Sequence, residues 1–253
     1  MIRVLLALLL LALPVRAEEI VSGVSQSGVS ITTNFDGTAI LVYGAAIRDR
    51  PAPDWPLLQV IITIEGPSAP LVVRKKERVA GIWLNRGAVQ IASAPSFYAV
   101  ATTGDIGDIL SPEADAKYHV TIPQTIKAAE GAAGGSAADQ GQYVAALQRI
   151  RAQSGSYRLA QDSVLLLRQS LFRTDITLPA NLVEGVYKVR IFLTRGGNVV
   201  DMQESQINVA KAGLERALYN LAMQSPLVYG VLSLLMAMVA GWGASELFKR
   251  VRF

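Results

Sequence analysis

The stretch from Leu227 to Phe248, LVYGVLSLLMAMVAGWGASELF, constrains this chain more than any other. A helix needs roughly 20 mostly apolar residues to cross a hydrocarbon core about 30 Å thick, because backbone polar groups find no partners in lipid. This run has that length, and its only charge, Glu246, lies near one end. It predicts a transmembrane helix over 227–248. Lys249, Arg250 and Arg252 follow directly, and basic residues flanking a span favour the cytoplasmic side. The tail 249–253 is therefore expected inside and everything upstream outside.

The other end of the chain agrees. Met1-Ile2-Arg3, the apolar run Val4 to Leu13 and the small-residue end Pro14-Val15-Arg16-Ala17 form the three regions of a signal peptide, 1–17, with cleavage expected after Ala17. No cysteine follows the apolar run, which excludes a lipoprotein. The run is also too short to serve as a second span.

This topology reassigns the charge. A net charge of +4 and a pI near 9.4 invite a nucleic-acid reading. Arg3 and Arg16, however, leave with the signal, and Lys249, Arg250, Arg252 and Glu246 belong to the span and its tail. Taking these from the 24 basic and 20 acidic residues leaves the exported part neutral. The basic pI reflects targeting and topology, and no nucleic acid is expected as a partner. The absence of cysteine excludes a disulfide framework, thiolate metal sites and cysteine nucleophiles.

The exported part, 18–210, reads as mainly β. Ile20 to Phe35 is rich in Val, Ser, Thr and Ile and runs into Asp36-Gly37, a dipeptide suited to a tight hairpin turn, with Thr38 to Ala46 expected as the partner strand. Leu57 to Glu65 is apolar on both faces and predicts a central strand. Leu71 to Val79 passes from apolar residues into Arg74-Lys75-Lys76-Glu77-Arg78. Gly81 to Asn85, Ala88 to Ala92 and Ser96 to Thr103 follow as short strands, separated by Arg86-Gly87 and Pro95. Strand signals return at Ser163 to Leu167 and Ser170 to Leu178. A long hairpin then begins at Gly185, turns at Arg195-Gly196-Gly197-Asn198 and returns over Val199 to Val209. Short, regularly punctuated strands predict an immunoglobulin-like β-sandwich.

A partly helical insertion, about 104–155, interrupts this pattern. It holds the low-complexity stretch AAEGAAGGSAA over 128–138 and a helix from Gln140 to Gln153. The two β-rich halves, 18–103 and 156–210, are expected to complete one sandwich, since the second offers too few strands for its own facing layer. Residues 211–225 predict a juxtamembrane amphipathic helix, with Leu214, Leu218 and Leu221 on one side.

Chemistry is sparse. His119 is the only histidine, so a multi-histidine metal site cannot form and any serine triad would need this one residue. Asp105, Asp108, Glu113 and Asp115 lack the ligand spacing of a calcium loop, and Gly131 to Ser136 lacks the Gly-Lys-Ser/Thr ending of a phosphate loop. No catalytic residue, metal or cofactor is expected. Strand alternation places Arg74, Lys76 and Arg78 on one face, where they could hold an oxyanion. The competing reading is a solvated or edge strand protected by charge. Trp83, Phe97 and Tyr98 are expected in the core. In the span, Ala237, Ala240, Gly241, Ala244 and Ser245 form a smooth face suited to a partner helix.

Several strings carry a resemblance: Val29 to Gly37 (VSITTNFDG), Gly81 to Asn85 (GIWLN), Ala94 to Thr103 (APSFYAVATT), Leu178 to Leu182 (LPANL), Ile191 to Arg195 (IFLTR) and Gly213 to Arg216 (GLER). With them the chain resembles, from about Glu19 to Trp242, a family of alphaproteobacterial transmembrane proteins of unknown function. The resemblance implies a bacterial inner-membrane protein with a periplasmic domain and one C-terminal span. It further implies an accessory role beside a sulfite-exporter-type permease, and it transfers no catalytic residue. The expected function is that of a non-enzymatic accessory protein with an integral-membrane partner. The alternative is a tethered oxyanion-binding module.

Overall fold

The computed structural model describes residues 18–32, 35–48, 55–128, 137–211 and 214–250. The expected signal peptide, most of the low-complexity stretch and the last three residues of the tail lie outside these. The chain divides into two compact units, one comprising Met1–Val29 and Asp36–Val209, the other Ser30–Phe35 and Ala210–Phe253.

The first unit is mainly β. Its strands are β1 (Glu19–Val24), β2 (Gly28–Ile31), β3 (Gly37–Ile47), β4 (Leu58–Glu65), β5 (Ser68–Val79), β6 (Ile82–Pro95), β7 (Tyr98–Thr102), β8 (Lys127–Ala128), β9 (Tyr157–Ala160), β10 (Leu165–Leu167), β11 (Leu171–Pro179), β12 (Gly185–Arg195) and β13 (Asn198–Lys211). They form a four-stranded sheet β1-β3-β11-β10, a six-stranded sheet β2-β13-β12-β4-β7-β9 and a three-stranded sheet β5-β6-β8. Four helices, α1 (Ile106–Ile109), α2 (Pro112–Tyr118), α3 (Ile122–Thr125) and α4 (Ala137–Gln153), occupy the insertion.

The central strands β4 and β7 of the six-stranded sheet are buried on both faces, which explains the unbroken apolar sequence of β4. On one face Val60, Ile62 and Ile64 lie with Val189, Ile191 and Leu193, all essentially inaccessible. The four-stranded sheet supplies the opposing layer through Ile20, Ile40, Val42, Phe172, Ile176 and Leu178. The strict in-out alternation of β11 follows from having one dry and one wet side. Polar ties cross between the sheets: the Ile20 amide donates to Asp201 Oδ2 at 2.9 Å and the Ser22 hydroxyl to Gln203 Oε1 at 2.7 Å.

On the other face Ile61, Tyr98, Val100 and Phe192 pack with Val73, Val89 and Ile91 of the third sheet. Ile109, Leu110, Val120, Ile126 and Leu147 from the insertion join the same cluster. The insertion is thus the cover of a second core. Because β11 pairs with β3 and β12 with β4, the two β-rich halves complete one sandwich, as expected.

Two local expectations fail. The run Ile20 to Phe35 is two strands: β1 pairs with β3, whereas β2 lies beside β13 in the other sheet. The polar, small Ser25-Gln26-Ser27 lets the chain cross between layers, so Asp36-Gly37 does not close a hairpin of adjacent strands. Residues Ile82 to Pro95 form one long strand, not two, because Arg86-Gly87 is a bulge within it. The parallel pairing of β9 with β7 had no signal in the sequence.

The second unit contains α5 (Leu214–Gln224) and α6 (Pro226–Arg250). Helical bonds run through the junction, from Ser225 N to Leu221 O and from Tyr229 N to Ser225 O, each 3.0 Å. Pro226 sits at the first turn of α6, where its missing N–H costs nothing. Residues Pro226–Glu246, with a mean hydropathy of 1.8, are long and apolar enough to cross a membrane.

Candidate functional site

The basic run lies on the most exposed ribbon of the first unit. Strands β5 and β6 join through Ala80-Gly81, both at positive φ (50° and 86°), the two-residue turn whose twist matches a hairpin. Val73 and Val89 are the last buried pair before the turn. Gly87, at φ 68°, is the bulge residue, and a side chain there would strike the Tyr143 hydroxyl of α4. The dihedral and that close approach both favour glycine.

Arg74, Lys76 and Arg78 share one exposed face of β5, opposite Ala88, Asn85 and Trp83 respectively. None of the three makes an ion pair or side-chain hydrogen bond among the described residues. On the other face Lys75 and Glu77 form a solvent-exposed pair at 3.7 Å. Same-face residues on a strand stand about 6.6 Å apart, so the three cations form a row about 13 Å long.

The tip beside this row is apolar. Ile82, Trp83 and Leu84 are 65%, 66% and 46% exposed. The expectation that Trp83 belongs to the core is therefore wrong, since it stands beyond the last buried pair with no opposing layer. Phe97 and Tyr98 are core residues, 2% and 0% exposed.

A second apolar surface lies on the outer side of the four-stranded sheet. Val21, Tyr43, Leu165, Leu167 and Leu171 line an open groove of about 420 Å³ with Arg173 at its margin. The run Leu165-Leu166-Leu167 was its one trace in the sequence.

Several polar side chains away from these surfaces are engaged in the fold. Glu18 is buried and accepts from Arg48 Nε at 2.5 Å and from Arg195 Nη2 at 2.7 Å. Burial alone would raise its carboxyl pKa, but the hydrogen bonds and charges of Arg195 and Arg48 outweigh this and hold it below the ordinary value. Arg48 also donates to the Gln169 carbonyl, and Arg195 to that of Pro56.

Arg190 on β12 donates to the Tyr118 carbonyl at 2.8 Å, and to the His119 carbonyl and the Tyr98 hydroxyl at 3.1 Å each. It thereby caps the C-terminal end of α2. Burial pushes the Tyr98 hydroxyl up to about 12, with Arg190 opposing that rise.

His119 is the left-handed C-cap of α2; its side chain is exposed and its backbone accepts from Arg190. Asp105 caps α1 through the Gly107 amide, and Asp115 accepts from the Val120 and Thr121 amides and the Thr121 hydroxyl. Among the described residues no group of three or more carboxylates and histidines is placed to hold a metal ion.

In the second unit, α5 exposes Leu218, Tyr219 and Met223. On α6, Ala237, Ala240, Gly241, Ala244 and Ser245 fall within an arc of about 140°. All five are exposed, and a methyl group added at Gly241 would meet nothing within 4 Å.

The sequence from 19 to 250 matches the model of the family described as "Putative transmembrane protein (Alph_Pro_TM)". The chain belongs to this family. Its one candidate membrane helix among the described residues agrees with that description. No curated protein and no solved structure matches the chain significantly.

Proposed function

We propose that this family member is a non-enzymatic, single-pass accessory protein of a bacterial inner membrane, acting through an integral-membrane partner. Its sandwich domain would be periplasmic and its basic tail cytoplasmic. The carrying observation is a division of labour among side chains. The polar groups Glu18, Arg48, Arg190, Arg195 and Asp115, buried or half-buried, hold the fold together, whereas the small-residue face of α6 and the cationic, apolar-tipped hairpin are left open for contact. A sulfite-exporter-type permease is the partner that the family resemblance implies.

The test is chemical crosslinking in native membranes followed by gentle solubilisation and co-purification. Recovery of a permease with the wild type, and its loss with Gly241→Leu, supports the reading. Recovery of the protein alone in several detergents ends it. The chain contains no cysteine, so orientation is directly readable. An impermeant maleimide should label Gln26→Cys in spheroplasts and Phe253→Cys only after lysis.

The alternative, a tethered oxyanion-binding module, is favoured by the unpaired state of Arg74, Lys76 and Arg78 and weakened by their open, linear spacing. Calorimetry of the full chain in detergent with sulfite, sulfate and sulfonates decides it. Absence of heat with all three rejects the module.

A further inference from the structure

The hairpin combines three properties that a solvated protective edge would not need. Past Val73 and Val89, six residues of β5 run to the turn, a ribbon of about 20 Å at 3.3 Å per residue. Two strands without a covering layer are marginally stable in water, so a surface that covered this ribbon would stabilise it. The tip carries Ile82 and Trp83, both more than 60% exposed, on a segment where Lys or Glu would be the protective choice. The cations Arg74, Lys76 and Arg78 are unpaired and set back from the tip in steps of about 6.6 Å, with Arg78 directly opposite Trp83.

We propose that the β5–β6 hairpin docks on an anionic lipid bilayer through the face that carries Arg74, Lys76, Arg78 and Trp83, with Trp83 entering the interface and the three cations meeting lipid phosphates. Charge complementarity selects this occupant. A row of cations does not enclose one small anion but matches a plane of many phosphates. Tryptophan favours the boundary between headgroups and acyl chains, and arginine keeps its charge among headgroups while its stem lies along apolar surface. Basic residues close to an anionic leaflet are attracted in a salt-dependent way. Membrane anchorage by α6 keeps a bilayer at high effective concentration, so weak docking suffices. The inference rests on that anchorage and not on a permease partner, so it stands or falls separately.

The experiment uses the full chain with Trp55→Phe and Trp242→Phe, which leaves Trp83 as the only tryptophan. It is reconstituted one copy per nanodisc, in phosphatidylcholine alone or with phosphatidylglycerol. Protein-free vesicles of the same two compositions are added in a parallel arm, to offer a facing bilayer. The expected result, in either arm, is a blue shift of Trp83 emission, protection from iodide and quenching by headgroup-proximal brominated lipid. All three should occur with phosphatidylglycerol only and be lost in high salt.

Arg74→Glu, Lys76→Glu and Arg78→Glu together should abolish the three signals. Because these side chains are exposed and unpaired, an unchanged thermal unfolding profile is expected and confirms that the variant is folded. Trp83 emission equally open to iodide in every lipid and both arms overturns the proposal. Protection unaltered by charge reversal also overturns it, as does protection seen only when membrane-extract proteins are added to the pure lipids, since the occupant is then a protein.

Discussion

At the scale of single residues, Glu18 and Arg190 carry the clearest consequences. Glu18 is buried against two arginines that lower its pKa. A carboxylate more acidic when folded than when unfolded contributes stability above its unfolded pKa and loses it as pH falls through the folded value. The protein should therefore lose thermal stability as the pH drops below about 4.5, toward the depressed pKa. Glu18→Gln should flatten that dependence while lowering stability at neutral pH, because two half-buried guanidinium groups lose their counter-charge. Unfolding temperature against pH for the two proteins checks this. Arg190 satisfies two backbone carbonyls at the end of α2. Arg190→Ala leaves them unpaired and should cost about 1–3 kcal/mol, with Arg190→Lys recovering part of it. Denaturant unfolding measures both. Neither role was legible in the sequence, since the partners of Glu18 lie 30 and 177 positions away.

At the scale of elements, legibility followed the number of buried faces. β4 announced itself because both faces are dry, and β12 with β13 because alternation flanks an Arg-Gly-Gly-Asn turn. The span and α5 were legible from apolar length and periodicity. The division of Ile20 to Phe35 between two sheets was hidden, because the two strands have the same composition and differ only in which partner they meet. Trp83 was misplaced for a related reason: residue type reports what a side chain can bury, not whether an opposing layer exists. The cationic row Arg74, Lys76 and Arg78 was legible as one face of a strand, but its openness required the hairpin's shape. Packing within the four-stranded sheet is tight enough to test. A Cβ at Gly44 of β3 would lie 2.6 Å from the Val21 carbonyl and 2.9 Å from Ser22 Cβ. The carbonyl is backbone paired across β1 and cannot yield, so Gly44→Ala should destabilise by about 1–3 kcal/mol. A variant as stable as the wild type in denaturant unfolding would show that β1 adjusts freely.

At the scale of the whole molecule, the sandwich is assembled from both halves of the chain, with the insertion as its second cover. β4 of the first half stands between β12 of the second and β7 of the first. β3 of the first half is paired along its length with β11 of the second. Take away 137–253, and Val60, Ile62 and Ile64 lose Val189, Ile191 and Leu193 beside them and Phe172, Ile176 and Leu178 in the facing layer. Take away 18–128, and β11 and β12 each lose a central partner. Residues 129–136 lie between these halves in low-complexity sequence too poor in bulky side chains to hold a core. A cut there therefore severs the chain without removing any of the contacts described. Fragments 18–128 and 137–211 expressed separately should each lack a cooperative thermal transition, and mixing or co-expressing them should restore one. Near-ultraviolet circular dichroism gives the same readout through the buried Tyr187, whose ring packs on Phe97 of the other half. A sharp transition from 18–128 alone would mean that its second core, the one shared with the insertion, suffices without the sandwich. The molecule would then be two folding units joined through β4.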